Sequence, residues 1–204
     1  QGEITEVRST EGPLKISEVV DRNPIYEGLF KGAEEIGIPI NKDYNGHEQE
    51  GISYTQTTIF KGERMSAEVA YLKPIRSRKN LKIITNSLVT KLLFDGKTCI
   101  GVKVKNKNKI QDYFSQNEVI LCGGAINSPQ ILELSGIGNR SILEEKGISL
   151  VHELKGVGEN LRDHLGPRLV YNITKRGISY NDKARGINLI KQVLTYAFNR
   201  EGFL

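Results

Sequence analysis

Apolar positions along this chain recur at two spacings, and each spacing predicts a kind of element. Ile25, Leu29 and Ala33 share one face at helical spacing, predicting a helix over Pro24–Glu35 that opens near Pro24 and ends at Gly37. A second helical pattern covers residues 66–72 and is expected to stop before Pro74. Shorter helices are expected over 128–134 and 141–146. A late amphipathic helix over 187–198 turns Leu189, Ile190, Val193, Leu194 and Ala197 towards a core. Strand patterns are briefer: 12–17, 81–85, 88–94, 100–105 and 149–152, with Asp95-Gly96 marking a hairpin turn between two of them. Residues 118–122 form a continuous apolar run, the pattern of a parallel strand buried on both faces. Residues 41–51 are polar and turn-rich, as in a surface loop, and the chain opens on irregular structure.

Composition narrows the picture. The chain has 204 residues, 38% hydrophobic and 26% charged, enough for one large domain or parts of two. No apolar run approaches the roughly 18–20 residues that a membrane helix needs, so no span is expected. The net charge of +5 is scattered, with acids interleaved. Its densest stretch, Lys103, Lys105, Lys107 and Lys109, reads as the outer face of a strand running into a turn. No stacking aromatics accompany it, so nucleic acid is not an expected partner. Cys99 and Cys122 are too few for a disulfide framework, and each reads as a buried free thiol. Two sequons, at Asn139 and Asn172, point towards secretion but leave the compartment open.

The first candidate for chemistry is Gly123-Gly124-Ala125. Small residues between a strand and a helix let phosphates or ribose approach the backbone, where helix N–H groups and a partial positive charge face them. Close helix–strand packing explains the same residues equally well. Gly136-Ile137-Gly138 and Gly156-Val157-Gly158 each lack the third glycine of a dinucleotide loop and read as caps or loops. Asp163 and His164 are adjacent and have no nucleophile elbow to join; His47 and His152 lie in a loop and a strand with no Cys or carboxylate at ligand spacing, so no metal site is expected.

Residues 124–138 (GAINSPQILELSGIG) resemble the second signature of the glucose–methanol–choline (GMC) oxidoreductases at every fixed position. Residues 74–93 resemble the family's entry into its flavin domain. Residues 156–164 are similar to its Gly-x-Asn-Leu-Gln-Asp-His box, with Arg162 replacing the glutamine. Glu11 to Leu14 and Asp43 to Gly46 fit as well, with insect glucose dehydrogenase-like members in particular. The resemblance implies an FAD enzyme that oxidises an alcohol or sugar by hydride transfer to flavin. It implies a backbone contact from Val89 to the adenosine part of FAD, although a plain core residue fits Val89 as well. It also implies that Gly123, Gly124 and Ala125 lie beside the cofactor. Asn160 and His164 would shape a boundary between domains. The family's Gly-x-Gly-x-x-Gly loop and its histidine-bearing C-terminal segment have no counterpart here, so no catalytic base is expected in this stretch.

The expected fold is mixed α/β: part of a Rossmann-like FAD domain (66–155) flanked by parts of an antiparallel-sheet substrate domain (1–65 and 156–204). The expected function is that of a piece of an FAD-dependent alcohol or sugar dehydrogenase or oxidase, with a small-molecule alcohol or sugar as substrate. The alternative is a redox-dead scaffold or binding protein. Substrate, electron acceptor and oligomeric state stay open. Cut from its neighbours, a flavin domain built from separated segments exposes strand edges, so the isolated chain is expected to aggregate. A soluble monomer with a cooperative thermal transition would contradict that.

Overall fold

A computed structural model describes residues 9–19, 22–175 and 177–200. The irregular opening expected for residues 1–8 lies outside them. In chain order the elements begin with α1 (Pro24–Glu35), β1 (Ile59–Phe60) and β2 (Glu63–Arg64), then a π-helical turn (Glu68–Leu72) and a 3-10 turn (Lys73–Ile75). A meander follows, β3 (Leu88–Asp95), β4 (Thr98–Asn106) and β5 (Lys109–Phe114). The rest are α2 (Gly124–Leu134), β6 (Ile137–Gly138), α3 (Arg140–Glu145), β7 (His152–Glu153), α4 (Tyr180–Lys183) and α5 (Gly186–Asn199). The described residues divide into two compact units, residues 9–81 with 169–200, and Lys82–Arg168.

In the first unit, α1 has the bounds its pattern predicts. Asn23 caps it, its Oδ1 accepting from the Ile25 N–H at 3.0 Å, and Pro24 occupies the first turn, where a missing N–H costs nothing. The same buried Asn23 donates from Nδ2 to the Ile178 carbonyl at 2.7 Å, joining the unit's two stretches of chain. Gly37 (φ 83°) lets the backbone reverse after the last turn. Tyr54 stacks on Phe30 at 4.7 Å and meets Tyr26 edge-on at 5.8 Å, with the Arg22 guanidinium 4.9 Å from its ring centre. The polar loop 41–51 is held by Asn41, whose Nδ2 donates to the Glu48 and Glu50 carbonyls.

Three expectations fail in this unit. Residues 12–17 make only one antiparallel bridge, Ser17 to Thr57, because Pro13 has no N–H to give a ladder and the stretch lies largely exposed. The helix expected over 66–72 does not stop before Pro74. It is wound as a π turn and passes into a 3-10 turn with Pro74 in its first turn, where proline is tolerated. α5 has the expected length but no buried side chain; Ile190 is 60% exposed and Phe198 82%. Its described anchors lie elsewhere on the helix: the Tyr196 hydroxyl donates to the Gly62 carbonyl at 2.9 Å, and Arg200 sits 4.0 Å from Glu63.

The second unit is built on the antiparallel sheet β3-β4-β5. Asp95 pairs with Thr98 across a two-residue loop whose first member, Gly96, has φ 57°, so the hairpin signal is met. β5, which the pattern reading missed, continues the meander through Lys107 (φ 51°). Lys103 does lie on a strand and pairs with Asp112 at 2.8 Å, both partly exposed, so the pair contributes at most about 1 kcal/mol. Leu92, Val104, Leu143 and Val157 are the buried apolar side chains here. Gly101 permits the closest strand approach: a Cβ there would lie 2.2 Å from the Tyr113 carbonyl oxygen.

Two strands expected in this stretch are absent. Residues 82–85 have no ladder, and Ile83 and Ile84 stay exposed. Residues 118–122 are not a buried strand either: Ile120 is 74% exposed. A parallel strand is buried only between neighbouring strands and covering helices, and none flanks this run among the described residues. Cys122 is consequently exposed and Cys99 half-buried, not the buried thiols expected. The strand expected over 149–152 shrinks to β7, which pairs in parallel with β6.

Two outcomes follow for the natural polypeptide. Gly101→Ala should lower unfolding stability by about 1–3 kcal/mol through overpacking. Gly28→Ala, at an open α1 position where a Cβ meets nothing within 4 Å, should raise it by roughly 0.5–1 kcal/mol; urea unfolding checks both. The Asp182 carboxyl, hydrogen-bonded by the Ser179 side chain and then by the Gly177 N–H, is held below its ordinary value of 3.8. Its stabilisation is therefore present above that value and lost as pH falls through the lower folded one. Carbon-13 NMR should give an Asp182 midpoint below 3.8, and Ser179→Ala should raise it.

Candidate functional site

The end of α2 that begins at Gly124 presents open polar backbone in the second unit. Gly123 is the cap residue, in helical conformation and with no side-chain hydrogen bond to the first turn. Gly124 has φ 81°, a conformation that disfavours a side chain, and a Cβ on it would meet nothing within 4 Å. Gly124 and Ala125 are exposed. The first N–H groups of a helix have no partner within it, and no acidic residue occupies this first turn. The helix end thus carries uncompensated donors and partial positive charge, suited to anionic or polar ligand atoms.

Gly123 is confined differently. A Cβ there would lie 3.2 Å from the Asn127 Cβ and from the Ser128 N and Oγ, all within the helix's own first turns. Among the described residues, a side chain at Gly124 would face open space and one at Gly123 would face its own helix. Pro129 sits inside α2 and has no N–H, which leaves the Ala125 carbonyl without its usual partner four residues on.

Val89 is half-buried in β3, opposite Val104, and the ladder is interrupted just beyond it. The register slips between Val89 and Lys91, and the intervening Thr90 donates from Oγ1 to the Lys103 carbonyl at 3.2 Å. Such a bulge frees backbone groups from the ladder and bends the strand. β3 and α2 pack together, so Val89 and the 123–125 turn belong to one substructure.

Sequence reasoning missed the residue that joins these elements. Ser135 follows α2 and is 1% exposed; its Oγ accepts from the Leu92 N–H of β3 at 2.8 Å and donates to the Ile131 carbonyl at 2.5 Å. In the sequence it stood as one position of the 124–138 signature, with no role of its own. Gly136 (φ 88°) ends α2, and a Cβ on it would lie 2.4 Å from the Ser149 carbonyl oxygen. Gly158 lies under Glu133, whose Oε1 would be 2.9 Å from a Cβ there. Gly136 and Gly158 are thus packed against neighbours; Gly136 caps α2, whereas Ile137 and Gly138, expected in a cap or loop, form β6.

No dyad forms at Asp163 and His164; the Asp163 carboxylate accepts from the His164 backbone N–H at 2.8 Å, and the stretch is exposed. Among the described residues no group of three His, Cys, Asp or Glu is placed to hold a metal. No helix among them is long and apolar enough to cross a membrane.

Comparison with known proteins agrees with this architecture. The family model described as GMC oxidoreductase matches residues 4–166. Human mitochondrial choline dehydrogenase is 43% identical over 158 residues, which is 78% of this chain and 27% of the relative. The alcohol dehydrogenase (acceptor) of Pseudomonas putida is 39% identical over 200 residues, 96% of this chain and 36% of the relative. A solved structure of an FAD-dependent oxidoreductase from Chaetomium thermophilum superposes with TM-score 0.88 at 29% identity, covering 97% of this chain and 35% of that one. The chain therefore spans about a third of the length of the relatives it matches. These relatives lend no support to the insect glucose dehydrogenase-like detail, only to the family. The signature expected at residues 124–138 is α2 with the packed Ser135-Gly136 end, and the chain belongs to the GMC oxidoreductase family.

Proposed function

We propose that the protein carrying this chain is an FAD-dependent oxidoreductase acting on the CH–OH group of an alcohol. The observation that carries the reading is the open, acid-free start of α2, in a family whose solved relative is an FAD-dependent oxidoreductase. The residues present fit the cofactor. Gly123, Gly124 and Ala125 offer backbone donors and no bulk where a ribose or phosphate would approach. Val89, beside a bulge with freed backbone groups, would hold the adenosine part. Bound FAD supplies the acceptor for the hydride that leaves the alcohol carbon.

What these residues do is bind and orient. The glycines keep side chains out of the approach to the helix end, and the unpaired N–H groups there favour negative charge. Residues 66–155 are proposed as FAD domain and the flanks, 1–65 and 156–204, as substrate domain. The placement of β3, α2 and the turn inside Lys82–Arg168 supports the first assignment, although that unit begins later and runs further. Choline and other small alcohols are the substrate class to try first, from the names of the relatives.

The natural polypeptide should take up one FAD per chain and reduce an artificial acceptor with choline or a primary alcohol. Finding no flavin on the purified protein, and none after incubation with FAD, would leave the scaffold reading instead. Ala125→Glu should separate binding from folding. A carboxylate in the first turn of a helix stabilises it by about 0.3–1 kcal/mol, yet it should repel the cofactor's phosphates and weaken FAD affinity at least about ten-fold. Thermal unfolding and flavin fluorescence titration read the two effects.

A further inference from the structure

We infer that Ser135 is a positioning residue for the cofactor: its hydroxyl fixes α2 against β3, and so sets where the 123–125 turn stands relative to Val89. This rests on the reading that the unit holds FAD. The argument begins with what α2 lacks. None of its side chains is fully buried, and Ser128, Ile131 and Leu132 are only half-buried. Ser135, immediately beyond its last turn, is 1% exposed. Within this unit only Leu143, also 1% exposed, is a comparably enclosed side chain.

The hydroxyl is used in both directions. It donates to the Ile131 carbonyl, which ties it to its own helix, and it accepts from the Leu92 N–H, which ties it to the strand. β3 is an edge strand of its sheet, and this bond satisfies an N–H on the side away from β4. Leu92 is three residues past Val89, and the bulge at Thr90 lies between them. The clamp therefore holds the short paired stretch of β3 between two register shifts, at Val89/Lys91 and at Leu93/Phe94.

Geometry then carries the effect to the other end of the helix. α2 has 11 residues and is about 16 Å long. A tilt of about 10° at the clamped end would move the turn about 3 Å, as much as a whole hydrogen-bond length. Neither proposed cofactor contact touches Ser135 by any interaction described above, so its influence would be through placement alone.

The test uses the natural polypeptide, titrated with FAD at a temperature where each apoprotein is folded. Ser135→Ala removes both bonds, and Leu143→Ala removes the other fully enclosed side chain without touching the clamp. Ser135→Ala should raise the Kd for FAD at least about ten-fold, while Leu143→Ala, though it lowers Tm, should leave Kd within about two-fold. Equal effects on Kd from both variants, or none from Ser135→Ala, would overturn the inference. If Ser135→Ala fails to fold, Ser135→Cys keeps the shape with only a weak acceptor, and a wild-type Kd for it would overturn the inference as well. A wild type that binds no FAD defeats the functional reading together with this one. A wild type that binds FAD while Ser135→Ala binds it equally well defeats this one alone.

Discussion

One buried oxygen organises the second unit. The Ser135 Oγ stands where the end of α2 meets the free edge of β3, and it answers both sides, taking the Leu92 N–H and giving its proton to the Ile131 carbonyl. An edge-strand N–H enclosed without an acceptor would cost about 1–3 kcal/mol, so the serine does more than fill space. Hydrophobic packing alone would leave α2 free to slide, because apolar contact has no direction. The hydrogen bond supplies direction.

Around that point, close backbone approaches take the place of large buried side chains. Gly136 lies against the Ser149 carbonyl, Gly158 under the Glu133 carboxylate, and Gly101 against the Tyr113 carbonyl. Few apolar side chains in the unit are buried, namely Leu92, Val104, Leu143 and Val157. The scaffold is thus specified by where a Cβ cannot fit and by which polar groups are answered. The signature that carries the family resemblance coincides with it: residues 124–138 hold the open turn at one end and the packed Ser135-Gly136 corner at the other.

Large apolar surfaces elsewhere have no covering element among the described residues. They are the face of α5 with Ile190 and Phe198, the run around Ile120, and Leu165, Leu169, Val170 and Tyr171 in a stretch without secondary structure. The first two have the residue pattern of a buried element and the exposure of a surface one. Local sequence sets the pattern, whereas burial requires a second element alongside.

The sequence by itself determined what local chemistry controls. The helix start at Pro24, the Asp95-Gly96 hairpin and the stop at Gly37 were legible because one or two residues fix the backbone there. The 123–125 turn was legible as small residues ahead of a helix. Only the tertiary structure showed the surroundings of that turn, with Gly124 open and Gly123 crowded by its own helix. It also decided that residues 82–85 and 118–122 form no strand, since a strand exists only when another pairs with it. The bonding role of Ser135, a residue of the 124–138 signature, was not legible for the same reason. Its partner Leu92 is 43 residues away, and no local spacing records a hydrogen bond across that distance.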